Sequence, residues 1–188
     1  MRSLDIDFLQ SQAIPIEMIG LIQTLGELKG RQDLYRHQSP QVLESLKQIA
    51  IMESTESSNR IEGVTVSPHR FKELMLHPVN PMNRSETEIL GYRHALSQIH
   101  TKYESFAINE KTILEFHKQI YSHTNIQGGI FKRRDNTIEE RLPNGCWITR
   151  FVPVSAYETP FFIGELCTRF NRLNQTGQIS PLLLISSF

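Results

Sequence analysis

The stretch TIEERLPNGCWITRFV, from Thr137 to Val152, decides the fold class because it carries the strongest strand signal in the 188-residue chain. β-Branched and aromatic residues nearly alternate on both sides of Pro143-Asn144-Gly145. An Asn-Gly pair between two such runs favours a tight hairpin turn. We therefore expect Thr137–Arg141 to pair with Trp147–Val152 as a β-hairpin.

The sequence around the hairpin has helical periodicity. Apolar residues recur at steps of three from Ile14 to His37, and Ser39-Pro40 is a typical start for the helix that Gly63 ends. Capping patterns indicate the remaining helices. They are expected from Ser67-Pro68 to about Leu76, from Glu86 behind a Ser85/Glu88 capping box, from the Asn109 cap to about Tyr121, from Ala156 behind a Ser155/Glu158 box to about Leu173, and from Ser180-Pro181 onward. The expected fold class is mainly α with one β-hairpin.

Charge and cysteine content restrict the classes of partner. Twenty Lys and Arg balance twenty Asp and Glu, so bulk charge does not indicate nucleic acid or a membrane surface. The longest apolar run, from Pro181 to Ile185, is far shorter than the roughly 20 residues of a membrane-spanning helix. Cys146 and Cys167 lack metal or redox spacing, which favours small inert side chains in a reducing compartment. We expect a soluble, cytoplasmic protein without membrane contact.

The chain shows no catalytic constellation. None of its seven histidines lies in a recognised metal-ligand pattern, so exposed or capping histidines are the simpler interpretation. Gly-rich phosphate loops and nucleophile elbows are also absent from the sequence. We therefore expect no metal ligand and no catalytic residue within these 188 residues.

Glu62 is unusual because it lies at the predicted helix end, where the backbone carbonyls carry partial negative charge and a cation is favoured. Ser58 lies four residues earlier on the same helix face, within reach of the carboxylate. Two interpretations remain open. Glu62 is either a tolerated surface acid or a partner for a positive charge from another part of the fold.

The run FKRRDN, from Phe131 to Asn136, places three cations beside the hairpin. One interpretation is a solvated strand entry in which Lys and Arg discourage aggregation. The other is a groove for phosphates or for an extended peptide, because the hairpin has free backbone donors and acceptors that could align a segment of another protein.

Taken together and in order, these motifs resemble the Fic family of protein adenylyltransferases. The residues from Ser58 to Gly63 fit the inhibitory-helix pattern (S/T)xxxE(G/N) of that family. The helical stretch IGLIQTLGELKGRQDL resembles its N-terminal region. The later stretches SETEILGYRHAL, FKRRDN and NGCWITRFVPVSAYETPFFIGEL are similar to the first core helix, the flap hairpin and the helix after it, and PLLLISSF resembles the start of the helix that leads to the active-site loop.

The resemblance implies a division of the chain. Residues 1–84 would form an N-terminal helical region with the inhibitory helix at about 40–62. Residues 85–188 would form the first part of the Fic core, a helical bundle of the Fic type with its flap hairpin at about 130–153. The family's signature loop, HPFx(D/E)GNGRxxR, is not present, so we expect the chain to be the N-terminal fragment of a longer protein and to be inactive alone.

The resemblance also implies residue roles. Ser58, Glu62 and Gly63 would regulate the ATP site, with Glu62 paired to the second arginine of the signature loop. Target binding would fall to the flap residues Lys132, Arg133, Asp135, Asn136, Thr137 and Ile138. The intact protein would use ATP and Mg to transfer AMP to a hydroxyl side chain of a target protein, which could be the protein itself, and it could form homo-oligomers.

Two alternatives remain. The intact protein could be a Fic-type enzyme that transfers another phosphate-containing group. It could also be a helical protein-binding module without activity, in which DNA binding would arise only if a further C-terminal domain supplied it.

Overall fold

The computed structural model describes residues 3–188, without the side chains of residues 33 and 35–38. The described chain is mainly helical with one two-stranded antiparallel sheet, which confirms the predicted fold class. The elements in chain order are α1 (Ile6–Gln10), α2 (Ile16–Gln38), α3 (Pro40–Ile61), α4 (Pro68–Leu76), α5 (Arg84–Lys102), α6 (Glu110–Ile120), β1 (Ile138–Arg141), β2 (Trp147–Phe151), α7 (Thr159–Thr176) and α8 (Pro181–Ser187), with a 3₁₀ turn at Tyr103–Ser105.

The hairpin has the predicted pairing. Ile138 pairs with Phe151 and Arg141 pairs with Trp147, with a register irregularity after Ile138. Gly145 adopts φ +86°, a left-handed conformation that a residue without Cβ adopts at no steric cost. The Asn-Gly turn signal therefore located both strands to within one residue.

Several helix boundaries differ from the sequence predictions. α5 begins at Arg84 instead of Glu86, because Asn83 is the N-cap and its Oδ1 accepts from the Glu86 N–H at 3.0 Å. α7 begins at Thr159 instead of Ala156, although Ser155 Oγ does accept from the Glu158 N–H at 3.2 Å. The predicted contact between Ser155 and Glu158 is present, but these residues form a turn that precedes the first residue of α7. α7 also continues past Leu173 to Thr176, and Gly177 follows it with φ +64°.

By its internal contacts the described chain divides into two compact units. One contains Gln10–Tyr103 and Ile120–Asn125, and its core is formed by Phe71, Leu74, Ile89 and Leu90. The other contains the segment that ends at Leu9, Glu104–Gln119 and Ile126–Phe188, and its core is formed by Leu4, Leu9, Leu173, Ile179 and Leu184. The functional boundary at residues 84/85 stays a prediction.

A buried ionic network holds α4 against the start of α5. Glu86 is only 2% exposed, and its Oε2 accepts from Arg70 Nη2 and from the Met82 N–H, both at 2.9 Å. Arg70 also donates to Glu73 Oε2 at 3.1 Å. Buried charges need such pairing, because removal of either partner leaves an uncompensated charge in a low-dielectric surrounding.

Gly91 allows α5 to approach the end of α6 closely. A Cβ at this position would lie 1.9 Å from the Ile120 carbonyl oxygen, which is a backbone atom that cannot rotate away. The close approach therefore requires glycine at position 91.

We predict that Gly91→Ala lowers the free energy of unfolding by about 2 kcal/mol, because the added methyl forces the two backbones apart. Gly164→Ala in α7 is the control, since a Cβ there meets nothing within 4 Å. That change should raise stability by up to about 1 kcal/mol through higher helix propensity. Urea denaturation measures both, and equal effects of the two variants would contradict the tight contact at Gly91.

We also predict acid destabilisation through Glu86. Its hydrogen bond to Arg70 holds the pKa of the carboxyl below the ordinary value of 4.5. A lowered pKa in the folded state stabilises the fold above the ordinary value, and this contribution is lost as the pH falls through the folded pKa. Stability should therefore drop below about pH 4.5. The drop should be shallower in Glu86→Gln and unchanged in the exposed control Glu56→Gln, as measured by urea denaturation at several pH values.

Candidate functional site

The end of α3 borders a cleft of about 610 Å³, which we call the α3 cleft. It lies within the unit that contains Gln10–Tyr103 and Ile120–Asn125. Its lining residues come from the end of α3 and the turn after it, from α5, and from the end of α6 with the residue that follows. They are Ser58, Asn59, Glu62, Val64, Arg84, Glu88, Tyr92, Ile120 and Tyr121.

Glu62 is the C-cap residue of α3, and Gly63 follows with φ +76°. The Gly63 N–H donates to the Arg60 carbonyl at 3.0 Å, and the Val64 N–H donates to the Asn59 carbonyl at 2.8 Å. These backbone bonds fix the turn and leave the Glu62 side chain exposed at the cleft. Glycine at position 63 thus has a structural role that the sequence predicted, as the end of the helix.

The charges of the α3 cleft are unevenly paired. Arg84 Nε donates to Glu88 Oε1 at 2.7 Å, and this contact raises the pKa of the guanidinium. Glu62 forms no salt bridge with any side chain in the described part of the chain. One carboxylate therefore remains uncompensated at a helix end that already carries partial negative charge.

The Ser58 hydroxyl, which the sequence places within reach of the Glu62 carboxylate, bonds instead to a tyrosine of α5. Its Oγ accepts a hydrogen bond from the Tyr92 hydroxyl at 3.0 Å, which ties α3 to α5. Tyr92 is half-buried, whereas Glu62 is exposed at the cleft. The sequence did not indicate this contact, because no local pattern links residues 34 positions apart.

The flap residues lie in the other unit, around the base of the hairpin. Asp135 Oδ1 accepts from the Ala156 N–H, which joins the segment before β1 to the segment after β2 at 2.6 Å. Lys132 Nζ donates to Asn136 Oδ1 at 2.6 Å, and Thr137 Oγ1 donates to Glu139 Oε1 at 3.3 Å. Ile138 is 54% exposed. Asp135 therefore closes the hairpin base, while Arg133 and Ile138 remain accessible.

A second cleft, of about 470 Å³, lies beside this segment within the same unit. Its wall is mostly apolar, with Ile113, Leu114, Phe131 and Ile163 among the lining side chains and with Lys132 and Arg133 as the cations. His117 also lines it, and its Nδ1 accepts from the Gly129 N–H at 2.9 Å. The sequence predicted an exposed or capping histidine here. The contact with Gly129 could not be predicted, because the two residues are 12 positions apart.

Within the described residues no group of three or more His, Cys, Asp and Glu could hold a metal ion. No described helix combines the length and the apolar composition needed to cross a membrane. Searches of protein-family models and of curated protein sequences find no match to this chain. The functional assignment therefore depends on the motifs and on the geometry of these two regions.

We predict that Asp135→Ala loosens the hairpin base, because the Ala156 N–H loses its acceptor. Tryptic cleavage after Arg133 and Arg134, followed by mass spectrometry, should accelerate by about fivefold. Asp135→Asn is the matched control, since its amide oxygen can still accept. Equal cleavage rates in both variants would contradict the closing role of Asp135.

Proposed function

We propose that this chain is the N-terminal part of a cytoplasmic Fic-type protein adenylyltransferase with a Fic-type helical bundle. The intact enzyme transfers AMP from ATP to a hydroxyl side chain of a target protein, which includes the enzyme itself as a candidate target. Ser58, Glu62 and Gly63 form the inhibitory end of α3, and the hairpin is the flap that aligns the target.

The observation that carries this proposal is the uncompensated Glu62 carboxylate at the α3 cleft. Its position at a helix C-terminus is electrostatically unfavourable, and a guanidinium in the cleft would offset that cost through a charge-assisted pair. Glu88 is already paired with Arg84, so Glu62 is the carboxylate that remains for such a guanidinium. In the resembling family this guanidinium is the second arginine of the signature loop, which otherwise holds the ATP γ-phosphate.

The described residues do not themselves fit ATP or Mg. The α3 cleft has two carboxylates against one arginine, which repels a triphosphate, and the described residues contain no group of three or more His, Cys, Asp and Glu that could hold a metal ion. In the proposal, ATP and Mg bind to a signature loop that this sequence does not contain. What this chain contributes is regulation by Glu62 and target alignment by the hairpin.

The Ser58–Tyr92 hydrogen bond supports the inhibitory role of α3. It joins the last turns of α3 to α5, so the helix end is held by a specific contact as well as by apolar packing. Asn59 Nδ2 donates to the Thr55 carbonyl at 2.8 Å and strengthens the same turn. Because the backbone of this helix end is already ordered, pairing of Glu62 with a guanidinium requires ordering of the side chain only.

The flap role is supported by the exposed strands of the hairpin. Ile138 and Phe151 are 54% and 59% exposed, and Trp147 is 64% exposed. A two-stranded sheet of this kind can add an extended target segment through main-chain hydrogen bonds. Lys132, Arg133, Asp135, Asn136 and Thr137 lie immediately before β1, where they can fix the register of that segment.

The same exposure favours a second candidate, a helical protein-binding module without enzymatic activity. The hairpin would then dock a partner, and Glu62 would be an ordinary surface acid. The coding sequence that follows residue 188 distinguishes the two candidates, because only the adenylyltransferase requires the signature loop.

We predict that Glu62→Gly in the intact protein raises auto-modification from ATP labelled at the α-phosphate by at least about tenfold, because loss of one charge-assisted pair is worth roughly 1.4 kcal/mol or more. Glu62→Gln should behave similarly without altering the helix end. Glu56→Gln on the exposed surface of the same helix is the control and should leave labelling unchanged.

Mass spectrometry of the labelled product identifies the transferred group, since AMP and another phosphate-containing group differ in mass. The 188-residue chain alone should incorporate no label. An unchanged rate in Glu62→Gly and Glu62→Gln, with both variants folded, would refute the inhibitory role.

A further inference from the structure

Helix α2 exposes an apolar surface that the described chain leaves uncovered. Met18, Leu21, Ile22, Leu25 and Leu28 are between 43% and 60% exposed, and we call them the α2 stripe. Every α2 side chain that the structure describes is exposed, and the helix packs only sparsely against α3. These side chains therefore contribute little to the core of their own unit.

A helix of this kind needs a partner. Most helical stability in proteins comes from packing of an apolar face, and isolated helices are marginal in water. Gly20, Gly26 and Gly30 weaken α2 further, by about 1 kcal/mol each relative to alanine. The α2 stripe must therefore be covered by another surface if the helix is to remain formed over all of Ile16–Gln38.

Four of the five stripe residues, all except Ile22, have a spacing that matches an antiparallel second copy. Met18, Leu21, Leu25 and Leu28 follow one another at steps of three, four and three, so the pattern is the same when read from either end. An antiparallel copy therefore places Leu21 opposite Leu25 and Met18 opposite Leu28. Such a pair repeats the apolar seam of a coiled coil.

The charges next to the stripe favour the same arrangement. Glu17 lies at its N-terminal end, and Lys29 and Arg31 lie at its C-terminal end. In the antiparallel register Glu17 lies within about 3 Å along the helix axis of Arg31 in the second copy, at 1.5 Å per residue. A parallel copy would instead place like charges side by side.

We propose that the α2 stripe is a self-association surface, through which two copies of this chain pair as antiparallel helices around a two-fold axis near Gln23. The contact is isologous, so each copy contributes the same residues and the Glu17–Arg31 pair occurs twice. This proposal does not depend on the adenylyltransferase assignment.

Sedimentation equilibrium over about a hundredfold range of concentration tests the proposal, because a dimer dissociates on dilution by mass action. Leu25→Glu should raise the dimer dissociation constant by at least about a hundredfold, since it buries a charge in the seam twice. Leu34→Glu is the matched control, because Leu34 is 66% exposed on the same helix but lies outside the stripe. Circular dichroism checks that both variants remain folded.

A charge exchange tests the orientation. Glu17→Lys and Arg31→Glu should each raise the dissociation constant by about threefold to tenfold, and the double variant should restore it, because the exchanged charges again face each other across the axis. A parallel pair would not show this rescue, so its absence would overturn the antiparallel arrangement.

Other outcomes also decide the matter. A monomer at all concentrations, or a dimer that Leu25→Glu leaves intact, overturns the proposal.

Discussion

The buried pair of Arg70 and Glu86 is the contact on which the arrangement of the α3 cleft depends. It joins α4 to the first turn of α5, and the Met82 N–H adds a backbone donor to the same carboxylate. With the start of α5 fixed, Arg84, Glu88 and Tyr92 follow at helical spacing along the cleft wall. A buried ion pair contributes little net stability over an apolar pair. It strongly disfavours other arrangements of α4 and α5, however, because each of them leaves a buried charge unpaired.

The position of α5 decides what the end of α3 can do. Tyr92 reaches Ser58 from α5, and this hydrogen bond together with Asn59 holds the last turns of α3. Glu62 follows that fixed segment by one residue and has no cation of its own in the described chain. The unit therefore fixes the backbone at Glu62 and leaves its charge uncompensated, which is the combination a regulatory carboxylate requires if its guanidinium partner must come and go.

Sequence patterns located the elements whose signals are local. The Asn144-Gly145 turn located the hairpin, Ser67 was identified correctly as the N-cap of α4, and Gly63 was identified correctly as the end of α3. Contacts between residues distant in sequence could not be predicted in this way. Glu86 illustrates the difference: the sequence predicted it only as the first residue of a helix, whereas Arg70, 16 positions earlier, pairs with it in the interior.

Glu62 and the α2 stripe are unfavourable in isolation for different physical reasons. A carboxylate at a helix C-terminus is unfavourable over a short range, and a cation held within a few ångströms offsets that cost. The exposure of the α2 stripe is unfavourable in proportion to its apolar area, and burial of that area has no preferred direction. Any apolar surface of matching length could therefore cover it. The symmetry of its spacing and of its flanking charges is therefore the basis on which we propose a second copy, because apolar exposure alone would fit many partners equally well. The charge of Glu62 therefore indicates a cationic partner directly, whereas the stripe indicates its partner only through the spacing of its residues and flanking charges.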